Sequence, residues 1–159
     1  MTTLTLEALR AEHQRLGDLI DRFSLQCEPE PTRIHFPELL LELNPGEEYA
    51  GLVIGKDGEP SHHLVLLPGE LEKATWESAK EWADKQGGEF AASLPNRREQ
   101  ALLYANLKEH FADAWYWSCE PYASDAGYAW FQDFGNGNQS YGHQGNQLRA
   151  RAVRRLVIE

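Results

Sequence analysis

The sequence predicts an α+β domain preceded by an amphipathic helix, and two patterns predict it. Apolar residues recur at helical spacing over residues 5–26, 75–86 and 96–111. Short apolar and aromatic runs at 49–54, 62–67, 115–118, 128–131 and 150–158 read as strands, bounded by Gly, Pro, Asn and Ser. The chain has 159 residues, enough for one ordinary domain with an attached element.

The first helix carries Leu6, Leu9, Leu16, Leu19, Ile20 and Phe23 along one stripe, with Thr5 placed to cap its start and Glu7 in its first turn. Gly17 weakens its middle. A narrow stripe leaves two roles open: packing back on the domain, or a short coiled coil joining copies. Residues 1–27 are therefore assigned to this helix. Residues 28–37, with Pro29, Pro31 and Pro37, form a Pro-rich connector, and 38–159 form the domain.

Inside the domain, the runs 49–54 and 62–67 flank a Gly/Pro turn and make a hairpin that Pro68-Gly69 ends. His62 and His63 are adjacent, so on a strand they face opposite sides and cannot share a metal ion in regular geometry. Thr75 caps the second helix, which turns Trp76, Ala79, Ala83 and Trp82 inward and stops at Gly87-Gly88. Asn96 caps the third, whose apolar side is Leu102, Leu103, Tyr104, Leu107 and Phe111. Beyond residue 113, aromatic strands alternate with loops. Residues 133–147 hold Gly135, Gly137, Gly142, Gly145 and three Asn, and read as a loop without core-forming capacity. Residues 150–158 read as one last strand.

Charge sharpens the function classes. The formal net charge is −10. Residues 1–70 hold 13 acidic and 5 basic side chains; residues 71–159 hold 12 and 10. Such a chain is unsuited to neutralising phosphates, so no direct nucleic-acid binding is expected. Acidity permits docking on a basic protein surface, with Glu47 and Glu48 as candidates, or serves solubility alone. Cys27 and Cys119 are too few for a disulfide scaffold and read as idle thiols, a pairing between them being left open. The first residues lack a basic, then apolar, signal pattern, and no apolar run approaches the roughly 20 residues of a membrane span. A cytoplasmic or virion-associated protein without a signal peptide is expected.

The ordered set Trp76…Ala79…Trp82-Ala83…Gly87-Gly88, Leu94-Pro95-Asn96-Arg97-Arg98-Glu99, Tyr116-Trp117-Ser118, Ala129-Trp130-Phe131…Phe134…Gly137 and Arg151-Ala152-Val153-Arg154 resembles the C-type-lectin-like fold, in its bacterial and phage branch of unassigned function. The resemblance covers about residues 75–155. It implies two helices on a small mixed antiparallel sheet, first and last strands adjacent, and a long ligand-binding loop region on one face. The calcium-dependent sugar-binding members carry Glu-Pro-Asn or Gln-Pro-Asp and Trp-Asn-Asp motifs. This chain lacks them at the matching places, so no metal or other cofactor is expected.

The candidate binding face is the segment 116–147, whose composition is that of a paratope: large Tyr contacts with adaptable Asn, Ser and Gly. Its candidate residues are Tyr116, Tyr122, Asp125, Tyr128, Asn136, Asn138, Tyr141, His143 and Asn146. The plainer alternative is that Gly and Asn only serve turns. Trp117 and Trp130 are assigned to the core. Arg149, Arg151, Arg154 and Arg155 either pair with the chain's own carboxylates or dock a partner. No nucleophile–base set or phosphate-cradling loop is apparent. The expected function is a non-catalytic recognition module, phage- or prophage-derived, for a protein or glycan, with a homo-oligomer through 5–26 as an option. The alternatives are an acidic adaptor docking on a basic, nucleic-acid-binding protein, and a divergent enzyme using Cys119.

Overall fold

The computed structural model describes residues 5–26 and 40–158. The chain divides into two compact units, Met1–Leu40 and Leu41–Glu159. The connector 28–37 and Cys27 lie outside the described residues.

In the first unit, α1 spans Leu6–Gln26. Thr5 Oγ1 accepts the Ala8 N–H at 3.3 Å, the cap its position predicts. Leu6, Leu9, Leu16, Leu19, Ile20 and Phe23 stand exposed along one side.

The second unit is α+β. Its strands are β1 (Glu48–Val53), β2 (His62–Leu66), β3 (Leu71–Ala74), β4 (Ala92–Ser93), β5 (Trp115–Pro121), β6 (Tyr128–Asp133), β7 (Gln139–His143), β8 (Leu148–Ala150) and β9 (Val153–Val157). Its helices are α2 (Trp76–Gln86) and α3 (Arg97–Leu107), the latter followed by a 3-10 turn at Lys108–His110. One sheet runs β1-β2-β9-β4 and the other β3-β8-β5-β6-β7. All pairings are antiparallel except β5 with β8.

Both helices start at side-chain caps. Thr75 Oγ1 accepts the Ser78 N–H, and Asn96 and Glu99 form a reciprocal capping box. Gly87 ends α2 because nothing larger fits: an added Cβ would lie 2.0 Å from the Phe90 carbonyl oxygen.

α2 packs on one face of the second sheet, and α3 packs on the first sheet and on part of the second sheet's other face. The α2 residues Trp76, Ala79 and Ala83 pack with Trp117, Ala129, Phe131, Leu148 and Ala150. The α3 residues Leu103 and Leu107 pack with Tyr116, Phe134, Leu64, Leu66 and Val153. Each large apolar side chain so buried contributes roughly 1.5–3 kcal/mol of transfer free energy.

Three expectations are corrected. Residues 150–158 are not one strand: Leu148–Ala150 closes against β3 and β5, the chain crosses at Arg151-Ala152, and β9 joins the other sheet. The loop region is largely sheet, since 116–147 contains most of β5 and all of β6 and β7, joined by short turns. Trp130 is half-exposed and not core, whereas Trp117 is fully buried.

Candidate functional site

Alternation builds the site. Residues two apart on a strand share a face, and the register pairs Tyr128 with His143, Trp130 with Tyr141 and Gln132 with Gln139. All six side chains therefore project to one side of β6 and β7. Tyr116 pairs with Gln132 and lies on the same side, where α3 covers it. α3 begins only at Arg97, and past its first residue the face is open.

At that open end the aromatic rings order one another. Tyr122 and Tyr141 stack at 3.8 Å between centroids and 8° between planes. Trp130 meets Tyr122 at 5.6 Å and Tyr141 at 5.5 Å, both edge-on. Tyr128 stands edge-on to Tyr141 at 6.3 Å and to His143 at 5.6 Å. Arg97 lays its guanidinium 3.6 Å above the Trp130 ring. Gln139 fixes that arginine, accepting from Arg97 Nε at 3.1 Å and donating to the Arg97 carbonyl at 2.6 Å. Tyr141 remains 45% exposed. The Tyr122 hydroxyl beside it raises the Tyr141 phenol above its ordinary value.

Four of the nine sequence candidates thus come together: Tyr122, Tyr128, Tyr141 and His143. The others fall elsewhere. Asp125 accepts the Gly127 N–H at 2.9 Å in the β5–β6 turn. Asn136 donates to Asp133 at 3.0 Å and accepts the Asn138 N–H at 2.8 Å, holding the β6–β7 turn. Gly137 completes that turn at φ +83°, with an added Cβ meeting the Tyr104 ring at 2.8 Å. The Asn146 N–H closes the β7–β8 turn on the His143 carbonyl at 2.9 Å.

Tyr116 is a correction. It is 1% exposed, its hydroxyl donates to Glu70 at 3.0 Å, and burial pushes its phenol up to about 12. It belongs to the core. Arg97 is the member of which the sequence carries no sign; Trp130 is assigned to the core there, and Gln139 counts only toward the polar composition of 116–147. The alternation of Trp130 with Phe131 was the one signal that a tryptophan faces outward.

The C-terminal arginines are held within the unit. Arg154 donates to Glu47 at 2.9 and 2.7 Å with both side chains buried, so Glu47 is unavailable for docking. Arg155 donates twice to Glu99 at 2.6 Å, and Arg149 bonds Glu70. Arg151 donates to the His110 and Leu67 carbonyls at 2.7 and 3.1 Å.

Cys119 is a free, half-buried thiol, and burial pushes it up to about 11, far from a reactive thiolate at neutral pH. Among the described residues, no group of three or more His, Cys, Asp and Glu is placed to hold a metal ion. No described helix is long and apolar enough to cross a membrane. The sequence matches no protein-family model and no curated protein.

Proposed function

We propose that residues 41–159 form a non-catalytic recognition module of the C-type-lectin-like kind, which binds a partner protein through Tyr122, Tyr128, Trp130, Tyr141 and Arg97. The carrying observation is the open aromatic face, its rings locked against one another on a sheet. Rigid aromatic area of this kind contacts a partner with little ordering cost. The fold reading draws support from the helices α2 and α3 packing against the sheet that contains β5, β6 and β7, while the last strand, β9, lies between β2 and β4 and not beside the first strand, β1. The phage or prophage origin rests on the sequence resemblance.

Arg97 occupies one face of Trp130, and Tyr122 and Tyr141 occupy one face of each other, so the remaining ring faces, edges and hydroxyls are left for contact with the partner. Tyr-rich surfaces of this kind are the usual contact area of protein paratopes. Replacing Tyr122 and Tyr141 together with Ala is expected to weaken partner capture from host lysate by at least about thirtyfold, the scale of a hot spot of 2 kcal/mol or more. The urea midpoint should move little. Equal capture by the variant and the parent at matched folded fraction would remove the reading.

The α1 helix supplies attachment in this reading. Leu6, Leu9, Leu16, Ile20 and Phe23 fall on the a and d positions of a heptad pattern, with His13 completing it. Most helical stability in proteins comes from packing an amphipathic face, so an exposed seam calls for a helical partner. Substituting Glu at both Leu16 and Ile20 should reduce the mass seen by light scattering to that of one chain. A parent protein already of single-chain mass would show that α1 does not join copies.

A further inference from the structure

Among the described residues the two sheets have four edge strands, and three are blunted. β1 is broken by a bulge between Tyr49 and Gly51, β3 is irregular and carries Glu72 and Lys73, and β4 has two residues. Such devices keep an edge from pairing with another chain. β7 has none of them. It holds regular register with β6 along its whole length, and its sequence Gln-Ser-Tyr-Gly-His has no Lys, Arg, Asp, Glu or Pro.

The phase of the ladder is fixed at both ends. The Gln144 N–H donates to the Gly127 carbonyl at 2.9 Å, and the Asp133 N–H to the Asn138 carbonyl at 2.8 Å. Antiparallel pairs alternate, so Ser140 and Gly142 exchange bonds with β6. The N–H and C=O groups of Gln139 and Tyr141 then point out of the sheet. Their side chains lie on the aromatic face beside Arg97. Arg97 uses Nε on Gln139, and its two terminal nitrogens donate to no group among the described residues.

Resting on the recognition reading above, we propose that β7 is the docking edge for an extended segment of the partner protein, which adds as a sixth strand. An added strand would turn alternate side chains toward the aromatic face. An acidic residue would reach Arg97 near Gln139, and an apolar or aromatic residue two positions away would lie beside Tyr141. Backbone pairing supplies affinity in this mode, and the two side-chain positions supply selectivity.

A random dodecapeptide display library, selected on the immobilised full chain, tests the proposal. Enriched peptides should share an acidic residue two positions from an apolar one. Their binding should fall by about tenfold or more with Arg97→Ala and with Tyr141→Ala, both variants keeping the parent's urea midpoint. N-methylating one alternate set of peptide amides should abolish binding, and methylating the other set should not. Failure to enrich, or equal sensitivity to both sets, overturns strand addition. In the second case the Tyr122 and Tyr141 lysate experiment still decides the recognition face separately. A dimer that Tyr141→Ala dissolves and no selected peptide displaces would also overturn it, by giving the edge to a second copy of the chain.

Discussion

Glu99→Ala is expected to destabilise the domain by about 3–5 kcal/mol, the usual cost of removing one partner from a buried charged pair. Glu99 is 0% exposed and does several jobs at once. Its carboxylate accepts the Asn96 N–H at 2.8 Å, closing the capping box of α3. It accepts two bonds from Arg155 on β9 and lies 2.8 Å from His62 Nε2 on β2. Alanine would leave Arg155 without its carboxylate and would remove the acceptor of the Asn96 N–H, while the Asn96 side chain would still accept the backbone N–H at position 99. Glu99→Gln keeps an acceptor for the cap and loses the charge, so its loss should be smaller. Urea unfolding of the three proteins would check the order parent, Gln, Ala.

The same residue fixes a pH dependence. Burial alone would raise the Glu99 carboxyl, but bonding to Arg155, the Arg155 charge, the Asn96 N–H and His62 outweigh it and hold it below 4.5. The Arg154 guanidinium likewise lowers Glu47. A carboxyl depressed in the folded state stabilises above its unfolded value and loses that contribution as pH falls through the folded one. The stability gap between parent and Glu99→Gln should therefore be widest above pH 4.5 and close below it. A gap that widens on acidification would show that Glu99 is not an ionised partner of Arg155.

Local chemistry made parts of this fold legible. Thr75, Asn96 and the Gly87 stop act within one turn of their own helix, so a short window of sequence contains the whole interaction. The strands β7 and β8 were not legible. Gln-Ser-Tyr-Gly-His has little intrinsic strand preference, and pairing with β6 makes it a strand. Ala150, Ala152 and Val153 are all fully buried, so the hydrophobic run carries straight through the crossing between sheets. Tyr116 was misplaced for a related reason. Tyr116 and Trp117 are neighbours on β5, yet both are buried, because α3 covers one face there and α2 the other. Alternation reports the outward face only where one side of a sheet is open. That condition holds at Tyr128 and Trp130. Arg97 could not be found from its neighbours in sequence, since Trp130 and Gln139 come from distant strands.

Trp117→Ala is expected to cost about 3–5 kcal/mol, lowering the melting temperature by very roughly 10–20 °C. Trp117 is fully buried and its Nε1 donates to the Ala74 carbonyl at 2.9 Å. Trp76 reciprocates from α2, donating to the Ser118 carbonyl at 2.8 Å. The two indoles thus lace the start of α2 to β5, and alanine would open a cavity beside Phe131 and orphan a buried carbonyl. Trp117 and Phe131 lie on the α2 side of the sheet, while Trp130 and Tyr141 lie on the other. Partner affinity of the folded fraction should therefore survive Trp117→Ala, the reverse of the Tyr122 and Tyr141 pair, where affinity falls and stability holds. Measuring both quantities on both variants separates the two sides of one sheet. Equal loss of affinity in the two would mean that the aromatic face is not an independent surface.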